Sequence, residues 1–117
     1  MNNLCDIKEF SIERSLSISM MRLFEAESLY DELTEKGARD FGYEKYSELS
    51  CLALRKLNES ISECQYVRFI SNSDSLLNWR YEKARINYGR AGTILSNAYK
   101  IKIELIENLK IVNYIMR

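Results

Sequence analysis

The sequence predicts an all-α protein, an antiparallel bundle of three long helices, and three observations carry that prediction. Proline is absent and glycine occurs only four times in 117 residues, so the usual punctuation of strands and irregular loops is nearly missing. Apolar residues recur at alternating intervals of four and three along most of the chain, which keeps them on one stripe of a helix. The pattern pauses only at a pair of glycines and at one run of small polar residues. The expected helices cover about 7–36, 43–70 and 75–116, within a single helical-bundle domain spanning 1–117.

The first helix has a start signal. Asp6 followed by Glu9 fits a capping box, with Cys5 and Phe10 placed as the flanking apolar staple. Ile12, Leu16, Ser19, Leu23, Ala26, Tyr30 and Leu33 then form one stripe, and Gly37 is a plausible stop. Residues 37–42, with Gly37 and Gly42, make the first connection. The second helix carries Tyr46, Ser50, Ala53, Leu57, Ser60, Cys64 and Val67, widened by Leu49, Leu54 and Ile61. Several of these residues are small, which lets a neighbour approach closely. Ser71-Asn72-Ser73-Asp74-Ser75 reads as the second connection, since such residues favour turns and caps.

The third helix has the longest pattern: Leu77, Tyr81, Ala84, Tyr88, Ala91, Leu95, Ala98, Lys102, Leu105, Leu109, Val112 and Met116. At about 1.5 Å per residue it is a rod of roughly 60 Å. Gly89 and Gly92 each cost about 1 kcal/mol of helix propensity relative to alanine. They do not disturb the phase, however, and a turn between two helices normally would. One helix, bent at Gly89–Gly92, is therefore favoured over a split that would give four. Ala84, Ala91 and Ala98 lie seven apart, a small-residue edge that suits either the second helix or a second chain.

Charge is balanced overall, with 17 basic and 17 acidic residues, so no global field recruits nucleic acid or an anionic membrane. It is uneven along the chain: four basic and eight acidic residues up to position 36, eight basic and three acidic from position 75. That asymmetry favours contact between the first and third helices. No apolar run approaches the roughly 20 residues a membrane span requires. The charged N-terminus does not resemble a secretion signal. Cys5, Cys51 and Cys64 are odd in number and widely spaced, which suggests reduced thiols and a cytoplasmic setting.

Catalytic chemistry finds little purchase. Histidine is absent, which removes the commonest general base and metal ligand. Glu59 with Glu63, and Glu104 with Glu107, share helix faces and read as surface charge. No phosphate-binding glycine loop occurs. The sequence thus predicts no enzyme, no cofactor and no metal site.

Two functional readings follow. The first is a small helical protein acting by protein–protein association: an adaptor, a complex subunit or a chaperone-like binder of a helix, with homodimerisation expected. Its contact residues are Trp79, Ile86, Tyr99, Ile103 and Ile106, apolar positions of the third helix that fall off its main stripe. The alternative is nucleic-acid binding through Arg80, Lys83, Arg85 and Arg90. With Asn87, three of these make a polar strip on one flank, with tyrosines that could stack bases. Against it, Tyr81 and Tyr88 are expected to be buried, and Arg80 and Arg85 to reach acids on the first helix.

Overall fold

The computed structural model describes residues 3–74 and 81–116, with side chains described for 9–72 and 82–115. Three helices pack together: α1 (Asn3–Phe41), α2 (Tyr43–Asp74) and α3 (Tyr81–Met116). Among the described residues there is no strand. The bundle is elongated, 60 × 20 × 19 Å. α1 and α2 run antiparallel, as Ser11 meets Tyr66, Ser19 meets Ser60 and Arg22 meets Glu59. α3 runs parallel to α1, with Lys83 near Glu9, Arg90 near Glu13 and Tyr30 bonded to Glu104. α2 packs extensively against both neighbours, and α1 meets α3 along a narrower line.

The apolar stripes of α1 and α2 are the core. Leu16, Leu33, Leu57 and Val67 are almost wholly removed from water, and Ala26, Ala53 and Cys64 entirely so. Small residues at the crossings let the helices approach closely, and serines share that role. Ser60 Oγ donates to the carbonyl of Ser19 at 2.8 Å, and Ser19 Oγ donates to its own helix at Leu16 O, also 2.8 Å. These bonds satisfy hydroxyls that would be costly to bury unpaired.

The helix ends differ from the sequence expectation in three places. α1 begins at Asn3, so Asp6 lies inside the helix and is no N-cap. Gly37 does interrupt the helix, at φ 78 and ψ 169, but a further helical turn follows before Gly42, at φ 87. The connection is therefore one turn bracketed by two glycines, and Gly42 O accepts the first bond of α2 from Tyr46 N at 2.9 Å. α2 continues through Ser71-Asn72-Ser73-Asp74, expected to be a loop. Ser71 is 1% exposed, so tertiary packing overrides its weak helix propensity. The beginning expected for α3, residues 75–80, lies outside the described residues.

α3 passes through Gly89 and Gly92 without a break. Its buried edge is Ala84, Ala91, Ala98, Leu105 and Val112, in heptad steps. Ala91 and Ala98 are fully covered within one chain, so that edge is not available for self-association. Both flanks of the edge are used. Ile94 and Leu95 are each 9% exposed, one on either side, because α3 leans on two neighbours at once. Among the described residues no helix is long and apolar enough to cross a membrane.

Cys64 is buried between Ser19 and Ser60. Burial pushes its thiol upward from the usual range, and the two hydroxyls offset part of that rise. A thiol whose folded pKa is raised stabilises the fold below its unfolded value, near 8.5, and that contribution is lost as pH rises toward the folded value. The urea midpoint of the wild type should therefore fall as pH rises above about 8.5. Cys64→Ala, whatever its level, should flatten that slope. Equal slopes in the two proteins would show that Cys64 is not the group responsible.

Candidate interaction surface

The outer side of α3 presents the apolar residues that its own bundle leaves uncovered. Ile86 is 56% exposed and Ile103 60%. Tyr99, 39% exposed, lies on the flank facing α2, where Gln65 Nε2 donates to its hydroxyl at 3.4 Å. Ile106 is half-buried. Toward the C-terminal end, Ile111, Tyr114 and Ile115 are exposed as well, although Leu105 and Val112 of the same turns are buried. That end of the helix is thus apolar nearly all round. Trp79, the remaining expected contact residue, lies outside the described residues.

The basic flank behaves differently from its sequence reading. Lys83 Nζ lies 3.3 Å from Glu9 and Arg90 Nη1 3.4 Å from Glu13, both acids on α1. Arg85 does not reach α1; it pairs with Glu82 of its own helix at 3.4 Å. Asn87, read as part of the same polar strip, is 4% exposed and faces the bundle. The strip is therefore the seam between α1 and α3, where the opposite charges of the two helices meet. Arg80 lies outside the described residues. Three candidate phosphate contacts are already engaged with carboxylates, though exposed pairs of this kind each contribute under about 1 kcal/mol.

Tyr88 was expected to be buried and is 39% exposed. The Arg68 guanidinium lies 4.3 Å from its ring centroid and also donates to its hydroxyl. Sequence spacing could not distinguish position 88 from 87, because both are one helical step from Ala84 and Ala91. The polar residue is the buried one, and a hydropathy pattern ranks it last. Tyr81's side chain is outside the described residues.

The carboxylates of Glu25, Glu59 and Glu104 are engaged with neighbouring side chains. Arg22 bridges Glu25 at 2.7 Å and Glu59 at 2.6 Å, and Lys56 reaches Glu25 at 3.4 Å, so four side chains tie α1 to α2. The bond from Arg22 holds Glu25 below the usual carboxylate range. Glu104 accepts from the Tyr30 hydroxyl, which raises the tyrosine's pKa, with burial adding to the rise. Glu27, Asp31, Asn97 and Lys100 surround this bond in a shallow groove between α1 and α3. Cys51 is exposed, whereas Cys64 lies in the core.

A second apolar surface went unread in the sequence. Phe10 and Phe24 are each 71% exposed and Met21 51% exposed on the outer face of α1, and Met20, 53% exposed, sits on its flank toward α3, seven residues from both Glu13 and Glu27. The signal was present: Phe10, Arg14, Ser17, Met21, Phe24 and Ser28 keep the same alternation of four and three as the buried stripe. Known protein families, curated proteins and solved structures offer no match to the chain.

Proposed function

We propose that the protein is a non-enzymatic helical bundle that works by protein–protein association, as an adaptor, a complex subunit or a chaperone-like binder of an amphipathic helix. The observation that supports this is the exposure of Ile86 and Ile103, at 56% and 60%, on a helix whose opposite edge already fills the core. Single exposed apolar residues are ordinary, whereas Tyr99, Ile103 and Ile106 form a row on one stretch of α3, with Ile86 exposed about five turns before Ile103, and such a row marks a contact surface. A partner helix laid along Tyr99, Ile103 and Ile106 would remove that row from water in the manner of helix-in-groove recognition. A cytoplasmic setting suits the free thiols Cys51 and Cys64.

The test compares wild type with Ile103→Ser/Ile106→Ser in affinity capture from the source cells, with circular dichroism as a folding control. The double variant should keep its helicity and lose a stoichiometric protein partner, its affinity falling more than about tenfold. Ile103→Ser alone, at the more exposed site, guards against a folding defect. A wild type that retains no protein, or a partner retained equally by both variants, contradicts the proposal.

A further inference from the structure

We propose that two copies of this chain associate antiparallel through the outer face of α1, with the two-fold axis at Ser17. This surface is distinct from the α3 face and stands or falls independently of it.

The first support is the symmetry of the stripe. A two-fold interface must be self-complementary, so that residue i meets residue j and j meets i. Phe10 and Phe24 lie seven residues to either side of Ser17. An antiparallel pairing centred there sets Phe10 of each copy against Phe24 of the other, twice. Met20 and Met21 fall opposite Arg14 and Glu13, over whose stems a flexible thioether packs readily. Ser17 itself is exposed and small, so the helices can approach most closely where they cross.

The second support is area. Taking roughly 200 Å² for a large side chain, the exposures of Phe10, Phe24, Met20 and Met21 leave about 500 Å² uncovered per copy. Two copies can bury up to about 1,000 Å² from these residues, the size at which specific interfaces begin, and Arg14 and Ser17, also exposed on this face, add to it. The aromatic pairs are the kind of anchor that dominates such contacts.

The third support is charge, which selects the direction. Among the described side chains, the acids of α1 outside its ion pairs with α3 all lie in its second half, at Glu25, Glu27, Asp31, Glu32, Glu35 and Asp40, and of these Glu25 is engaged by Arg22 and Lys56. In the first half, Glu9 and Glu13 already face Lys83 and Arg90. A parallel pairing would stack the two acidic halves against each other. The antiparallel pairing about Ser17 places residues 25, 27 and 31 opposite residues 9, 7 and 3, and carries 32, 35 and 40 past Asn3, where the partner helix begins. The acidic halves then project to opposite ends.

The experiment is light scattering on a sizing column over a range of protein concentrations, with the full chain and two variants. Wild type should reach twice the 13.8 kDa chain mass at tens of micromolar. Phe10→Ser/Phe24→Ser should halve that mass with unchanged helicity, since both side chains are exposed, and Ile103→Ser/Ile106→Ser should leave it doubled. Ser28→Cys in a Cys5→Ser/Cys51→Ser background, carrying a nitroxide label, then reads the direction. Antiparallel pairing about Ser17 separates the two labels by about 33 Å along the axis, and parallel pairing leaves them one helix width apart. A monomer at every concentration, a dimer indifferent to the phenylalanine changes, or labels within about 15 Å would each overturn the proposal.

Discussion

Leu57→Ala should destabilise the protein by about 3–4 kcal/mol, among the largest effects available to a single truncation here. Leu57 is fully buried at the middle of α2, the helix that packs against both of the others. Removing its side chain opens a cavity that neither neighbour can close without abandoning the other. At the scale of a domain this size, the melting temperature should drop by on the order of 10–15 °C. Leu54→Ala, at a half-buried position of the same helix, should cost less than half as much. A similar loss at both sites would mean that α2 is not the central helix.

The four glycines supply the second large effect, and it has two signs. Gly37 has φ 78 and ψ 169, a region that side-chain-bearing residues scarcely enter. No atom lies within 4 Å of where its Cβ would go, so the cost of Gly37→Ala is backbone strain alone, about 1–3 kcal/mol. Gly42, at φ 87, should behave in the same direction. Gly89 and Gly92 have helical backbone and equally open surroundings. Alanine at each should stabilise by about 0.5–1 kcal/mol, because glycine loses more backbone freedom on folding. Composition alone treats these four residues alike. Chemical denaturation of the single variants separates them.

The fold was legible because helix periodicity and core burial are the same fact seen twice. On α2, Tyr46, Ser50, Ala53, Leu57, Ser60, Cys64 and Val67 are all buried, and reading them required only the interval of three and four. Serines in that stripe did not mislead, since the pattern is positional. On α3 the pattern was less decisive. Two neighbours cover two flanks, so Asn87 and Ile94 are buried on one side of the alanine edge and Leu95 on the other. A single stripe drawn through the sequence had to choose, and it chose Tyr88. Charge asymmetry between the first and third segments did point to their contact, but the bases that make it are Lys83 and Arg90, not Arg85.

Surfaces were harder to read than the core. Ile86 and Ile103 could be singled out because they fall off the α3 stripe. The Phe10–Phe24 stripe of α1 was hidden by its polar members, Arg14, Ser17 and Ser28, which dilute an apolar signal without breaking its spacing. Such a face becomes visible only once the opposite side of the helix is known to be filled.

The unbroken path of α3 through Gly89 and Gly92 underlies the core edge, the parallel seam with α1 and the exposed face alike. Thermal unfolding of Gly89→Ala/Gly92→Ala tests it most directly. A continuous helix predicts a midpoint raised by about 4–10 °C, from about 1–2 kcal/mol of added stability. A midpoint at or below that of the wild type would mean that the chain turns between these residues, and that α3 is two helices.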